Sequence, residues 1–238
     1  MRYLIKLATR GRRSKFIQTI NNILTTIKTD NYLILVSADT DDEQMNCDEV
    51  RLWCSQFTRV KLMFGKSDSK IHAINRDMEQ AGEWDILINM SDDMTFLAHG
   101  WDRVILRDAI EHWGGSLDWF AHYNDGYVQH RLPTMSIMGV DYFNRFGYIY
   151  EPGYRSFSCD AEAMYVAMML GRHRYFPEII FKHIHPANTN EVKNDHTYRI
   201  NSLHTPHDTE YYFSRKRQCF MIEVKDRVCL PFNPNDRL

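Results

Sequence analysis

Apolar residues recur along this chain with two periods. Residues 3–7, 32–36, 60–64 and 84–90 are short, nearly continuous apolar runs that read as buried strands. Between them apolar positions fall at helical spacing. Phe16, Ile20, Ile23, Leu24 and Ile27 share one face, and Ser14 is the N-cap that pattern predicts. Val50, Trp53 and Phe57 mark a helix over 49–57, and Ile71, Ile74 and Met78 one over 70–80. Strands alternating with short helices predict an α/β fold, an open, mostly parallel sheet covered on both faces. After Gly100 the pattern changes. It predicts a helix over 101–113, strands over 118–123 and 135–139, a helix over 161–170 and a strand over 174–183. Residues 186–208 are polar and carry two prolines, a loop composition, and a last helix is expected over 210–219.

At 238 residues, 44% hydrophobic and 25% charged, the chain fits one domain with a sizeable core. The formal net charge of −2 gives no global drive toward nucleic acid or membranes. Charge is uneven, with Arg10, Arg12, Arg13 and Lys15 near the start and Arg215, Lys216 and Arg217 near the end. Such clusters are solvated faces or phosphate sites. No apolar run approaches the ~18 residues that a membrane helix requires. Cys47, Cys54, Cys159, Cys219 and Cys229 form no Cys-x-x-Cys pair. Reduced thiols and a cytoplasmic location, host cytoplasm if viral, are the expectation.

Ser91-Asp92-Asp93 is the most informative stretch. It follows the 84–90 strand, where open α/β sheets place ligands. Adjacent carboxylates there suit a hard divalent cation, or a helix N-cap. Thr9-Arg10-Gly11-Arg12 follows the first strand, Asp39 ends the second, and Lys70 opens the third helix. Backbone amides, arginines and a carboxylate at strand ends can meet a nucleotide. There is no Gly-x-Gly-x-x-Gly and no Gly-Lys-Ser/Thr loop, which argues against dinucleotide enzymes and P-loop NTPases. Cys159-Asp160-Ala161-Glu162 opens a helix, either as dipole-matched acids or as a source of a general base. His183-Ile184-His185 would put two imidazoles on one side of a strand.

With these motifs in order, the chain resembles a nucleotide-sugar glycosyltransferase of the GT-A fold, close to family-2-like members. Residues 7–12 resemble their nucleotide-binding turn, Lys70-Ile71-His72-Ala73-Ile74-Asn75 their Lys-x-x-Ala-x-Asn helix, and Ser91-Asp92-Asp93-Met94 with Gly100-Trp101-Asp102 their Asp-x-Asp region. Asp160-Ala161-Glu162 resembles their acidic catalytic segment, and His183-Ile184-His185-Pro186 their late metal-binding histidine. Ser91 stands where the first aspartate of Asp-x-Asp would be.

The resemblance implies a single GT-A-like domain over 1–238. Its nucleotide-sugar half would be 1–95 and its acceptor half 96–238, with loop 187–207 as a lid. It implies Mn²⁺ or Mg²⁺ on Asp93 and His185. Donor contacts would come from Thr9, Arg10, Gly11, Arg12, Asp39, Lys70, Ser91 and Asp92, and Asp160 or Glu162 would be the base of an inverting hexosyl or pentosyl transfer. Arg215 and Lys216 are further phosphate candidates. A UDP-sugar is the expected donor, and the acceptor stays open between a glycan, a hydroxylated base in phage DNA, a metabolite and a protein. A nucleotidyltransferase on a similar fold and a non-catalytic nucleotide-sugar-binding module are the rival readings.

Overall fold

The computed structural model describes residues 1–186, 188–189 and 195–222. Its elements run β1 (Tyr3–Thr9), α1 (Arg13–Thr26), β2 (Tyr32–Asp39), α2 (Asp48–Ser55), β3 (Val60–Gly65), α3 (Lys70–Asn75), β4 (Ile86–Met90), β5 (Met94–Phe96) and α4 (Trp101–Trp113). They continue with β6 (Phe120–Tyr123), β7 (Ser136–Gly139), α5 (Val140–Asn144), α6 (Cys159–Met169), β8 (His173–Phe176), β9 (Phe181–His183), α7 (His196–Ser202) and α8 (Thr205–Arg217). Seven strands form one sheet in the order β3-β2-β1-β4-β7-β6-β8. β7 pairs antiparallel with both β4 and β6, and every other pairing is parallel. β5 and β9 make a separate antiparallel pair.

Strand alternation divides the core into two layers. Tyr3, Ile5 and Leu7 of β1 face Phe16, Ile20 and Ile23 of α1, Val50 of α2 and Ile105 of α4. Leu4, Leu35 and Leu87 face the other way, toward Ile71 of α3, Tyr142 of α5, Val166 of α6 and Tyr212 of α8. Each fully buried Phe, Ile or Leu contributes about 1.5–3 kcal/mol, so the apolar stripes fix which face each helix covers. Lys6 interrupts this pattern. It is buried, donates to Ser37 Oγ, and burial pulls its pKa down to about 7.

Five expectations change. The 70–80 helix stops at Asn75, and Asp77 takes a left-handed turn (φ 68°) before a 3₁₀ turn, Met78–Gln80. Arg76 there turns inward to Ala38 O and Asp77, and Asp77 accepts from Ser37. α1 starts at Arg13 with no side-chain cap, because Arg12 rather than Ser14 holds the N-cap position and points elsewhere. The 174–183 strand is two strands in two sheets, β8 and β9. The 186–208 loop contains α7, started by Asp195 as its N-cap, and the beginning of α8, with Pro206 in its first turn. Positions 187 and 190–194 of the expected lid lie outside the described residues. Finally, Cys47, Cys54 and Cys159 are free thiols but Cys219 is in a disulfide, against the expectation of reduced cysteines. Cys229 lies outside the described residues. Among those described, no helix is long and apolar enough to cross a membrane.

Candidate active site

Because β1, β2 and β4 are parallel neighbours, their carboxyl ends share one edge of the sheet. Thr9, Asp39 and the Ser91–Asp93 stretch meet there. Ser91-Asp92-Asp93 leads into β5, not into a helix, so the capping reading falls. The register Met94↔His183 and the bond from Ile184 N to Asp93 O (2.8 Å) lay β9 alongside, which carries the two histidines to the carboxylates.

Asp92 is 6% exposed. It accepts from Thr9 Oγ1 at 2.7 Å and Arg12 Nη1 at 2.9 Å. Burial, helped by the charge of Asp93, raises its pKa against the pull of Arg12. Asp93 differs. Burial resists its ionisation, but hydrogen bonds from His183, Ser91 and Tyr198 prevail and hold its carboxyl well below the usual range. Its Oδ1 takes Ser91 Oγ and lies 3.3 Å from His183 Nε2. Its Oδ2 takes the Tyr198 hydroxyl at 2.6 Å and lies 3.7 Å from Arg12 Nη1. Arg12 also reaches Asp195 at 3.0 Å, and its guanidinium sits 3.9 Å from the Tyr198 ring centre.

Beside this cluster lies a second one. Gly11 turns the chain with φ 65° and donates its N–H to Asp42 at 2.7 Å. Arg10 pairs with Asp39 at 2.7 Å and with both oxygens of Asp41. Asp39 Oδ1 is buried with no hydrogen-bond donor, and Arg76 Nη2 lies 3.8 Å from it.

Asp160 lies in the first turn of α6, partly exposed, within electrostatic reach of Lys70 and His183. Burial raises its pKa against those two groups and the Ala161 amide. His185 lies within reach of Asp93, Lys70 and Arg12, and its ring is 4.7 Å from that of Tyr198. Burial, with the charge of His183, lowers its pKa to about 4, so the imidazole is neutral at pH 7.

Glu162, the other acidic candidate, is in different surroundings. It accepts from Tyr154 at 2.6 Å and from Arg215 at 2.7 and 2.9 Å, and so ties α6 to α8. Arg215 is thereby tied to a carboxylate, and Lys216 packs over Tyr165 and Tyr212. Neither joins the Asp92–Asp93 cluster. Asp102 of the Gly100-Trp101-Asp102 motif is also structural, accepting the Lys28 and Thr29 amides. Sequence reasoning missed Tyr198 and Asp195, which lie in a segment of loop composition. It also passed over His183 in favour of His185. The signal for Asp195 was present, since an aspartate three residues before Tyr198 is an N-cap pattern.

Mn²⁺ or Mg²⁺ would need oxygen and neutral nitrogen donors. Asp93, held ionised, and His185, held neutral, have that chemistry. Among the described residues no cluster of three or more His, Cys, Asp or Glu side chains converges on one point.

No protein-family model and no curated protein matches the sequence. The fold does have counterparts, and it is that of the GT-A-type glycosyltransferases. A mannosyltransferase from Pyrobaculum calidifontis, PcManGT in complex with GDP-Man and Mn²⁺, superposes with a TM-score of 0.67 at 12% identity, over 96% of this chain and 66% of that one. S. aureus TarS 1-349 gives a TM-score of 0.60 at 11% identity, over 94% of this chain and 76% of that one. The same protein with UDP-GlcNAc gives 0.61 at 12% identity, over 82% and 60%. This chain thus spans about two thirds of the mannosyltransferase.

Proposed function

We propose that this chain is a nucleotide-sugar glycosyltransferase that inverts the sugar it transfers. The observation that carries this reading is the meeting of Thr9, Arg12, Asp92 and Asp93 at the ends of β1 and β4, with Asp160 within electrostatic reach of Lys70 and His183, in a GT-A-type fold. The donor would lie along the sheet edge. Asp39, with its undonated oxygen, would take the base or ribose. Gly11, Arg10 and Arg12 line the turn that would face the diphosphate, with Ser91 and Lys70 beside it. Asp93 and His185 would hold Mn²⁺ or Mg²⁺, which neutralises the departing diphosphate. The donor and acceptor halves, 1–95 and 96–238, belong to one domain in this reading.

The acceptor hydroxyl attacks the anomeric carbon from the face opposite the nucleotide. The new C–O bond forms as the bond to the β-phosphate oxygen breaks, and the electron pair leaves with the nucleoside diphosphate. The hydroxyl proton passes to the Asp160 carboxylate. Asp160 is preferred over Glu162 because Glu162 has both oxygens engaged by Arg215 and Tyr154. The raised pKa of Asp160 makes it a better proton acceptor than an ordinary carboxylate. A UDP-sugar or another nucleotide hexose or pentose is the donor class. A glycan or a hydroxylated base in DNA is the acceptor class.

The test is release of nucleoside diphosphate from a panel of UDP- and GDP-sugars with Mn²⁺ present, with and without chelator and candidate acceptors. Diphosphate released only with metal supports the reading. Pyrophosphate as the product would make the chain a nucleotidyltransferase, and binding without any release would make it a binding module.

A further inference from the structure

Asp208, in the first turn of α8, is fully buried. A buried carboxylate is costly unless it is hydrogen-bonded, and this one accepts three successive backbone amides. Its Oδ1 takes the Arg155 N–H at 2.9 Å, and its Oδ2 takes those of Ser156 and Phe157, each at 2.8 Å. His207 Nδ1 lies 3.0 Å from Oδ1. Burial resists the ionisation of Asp208, but the Phe157 amide, His207 and the other two amides prevail and hold its pKa below the ordinary value. Residues 155–157 precede α6 and do not form its first turn, so this is not a helix cap. The Arg155 carbonyl accepts the Ile71 N–H at 3.3 Å, next to Lys70 at the start of α3. Asn75 of α3 holds the same segment further back, donating to Tyr150 O at 2.6 Å and accepting the Ile149 and Tyr150 amides at 3.0 and 3.1 Å. The chain then turns at Ser158, whose φ of 63° is left-handed and whose side chain makes no cap bond. A residue other than glycine is strained there, and such strain persists only where the surroundings impose it. Cys159 and Asp160 follow at once.

Resting on the reading of Asp160 as the general base, we propose that Asp208 is a positioning residue for it. By clamping residues 155–157, Asp208 imposes the left-handed turn at Ser158 and so sets where Asp160 stands relative to Lys70. It acts through the backbone and needs no contact with the substrate. The groups within electrostatic reach of Asp160 are Lys70 from α3, His183 from β9, and Cys159 and Tyr150 from its own segment. The Glu162–Arg215 pair ties α6 itself to α8, so losing Asp208 loosens the turn without freeing the helix. A base displaced by about 1 Å loses up to about 10²-fold in rate.

The experiment takes two readouts on the full chain. One is the titration of the Asp160 carboxyl by carbon-13 NMR, assigned with Asp160→Asn. The other is turnover of whichever UDP- or GDP-sugar wild type consumes. Asp208→Asn keeps the side-chain volume and turns an amide group toward donors it cannot accept from. It is expected to lower turnover by about 10–10²-fold, with KM for the donor within about twofold of wild type. The Asp160 titration should move toward the ordinary carboxylate value, because the clamp no longer holds the group buried. Ser158→Val and Ser158→Gly test the turn without touching α8. A β-branched residue resists this φ and glycine takes it freely. Valine is expected to reproduce both effects of Asp208→Asn, and glycine neither. A plain loss of stability would reduce the amount of folded protein and leave the titration of the folded fraction where it was. An unchanged Asp160 titration in folded Asp208→Asn, or in Ser158→Val where the first variant does not fold, overturns the positioning role and leaves the transferase reading standing. Full turnover by Asp160→Asn, or no turnover of any sugar by wild type, removes the base and the catalytic purpose of the clamp with it.

Discussion

Asp160 and Glu162 lie two residues apart on α6, yet their neighbours give them opposite tests. Asp160→Asn keeps the volume of the side chain and should leave thermal stability and donor binding unchanged. It should lower transfer by about 10²–10⁴-fold, the usual contribution of a general base. In wild type the rate should fall as pH drops through the pKa of Asp160, which burial raises above the ordinary carboxylate value, because the base must be ionised. That acid limb should be absent from what remains in Asp160→Asn. Glu162→Gln should do the reverse. It leaves Arg215 without its main partner, at a cost of about 3 kcal/mol, the low end for breaking a buried pair, since Glu151 at 3.6 Å still faces Arg215. Denaturant melts and single-turnover rates on both variants separate the two roles. The reverse outcome, a stable but inactive Glu162→Gln, would move the base to Glu162. At this scale the sequence was readable where chemistry and strand position coincide. Asp92, Asp93, Thr9 and Arg12 all stand within a few residues of a strand end. It could not separate Asp160 from Glu162, because that difference is made by Arg215 some fifty residues away and by the Lys70 and His183 charges. Tyr198 was unreadable for the same reason, since nothing local to a tyrosine announces an aspartate more than a hundred positions earlier.

Among the elements, β6 and β8 carry a buried histidine pair that makes this sheet edge sensitive to acid. His122 is fully buried, and His173 Nε2 lies 3.1 Å from His122 Nδ1. Burial lowers the pKa of His122 to about 3, with the charge of His173 adding to it, and burial lowers that of His173 to about 4. Both are neutral in the fold at neutral pH, while in the unfolded chain each takes a proton near pH 6.5. The unfolded state therefore binds more protons from pH 6.5 down to about 4, and stability falls with pH across that window. Each histidine adds up to about 1.4 kcal/mol per pH unit within it. His173→Gln should flatten the slope of unfolding free energy between pH 6.5 and 4 by about half, measured by urea titration. An unchanged slope would mean that the acid response comes from other groups. The elements that sequence periodicity predicted well are the long amphipathic ones. α4 matches to the residue, and β1 and β2 differ only by two or three positions at their ends. The misses are short or broken. β5 has three residues, and the split of β8 from β9 follows from Pro177 and a change of sheet that no local pattern encodes. α7 was hidden by polar composition, because its stability comes from a cap and a few cross-chain contacts rather than an apolar stripe.

For the whole molecule, the site is assembled from distant parts of the chain. In the proposed site the donor side would come from the ends of β1, β2 and β4, while Asp160 on α6, His183 on β9, His185 just after it and Tyr198 on α7 come from the later part of the chain. A ligand that spans Arg12, Asp93 and His185 would join parts of the chain distant in sequence and should stabilise the fold as a unit. At about 100 times its dissociation constant, a nucleoside diphosphate should add roughly 2.7 kcal/mol to unfolding. For a chain of this size that is a rise of about 5–10 °C in Tm. The rise should need Mn²⁺ or Mg²⁺ and should vanish with excess chelator, because the diphosphate and the Asp93 carboxylate repel each other unless a cation lies between them. Asp93→Ala should keep a residual shift from Arg12 and lose the dependence on metal. Thermal-shift curves for UDP and GDP, each with and without Mn²⁺, also separate the two bases, since only the one that fits against Asp39 should reach the full shift. A shift of the same size in chelator would mean that Arg12, Lys70 and the turn after β1 hold the diphosphate without a cation, and the carboxylate pair would then need another purpose.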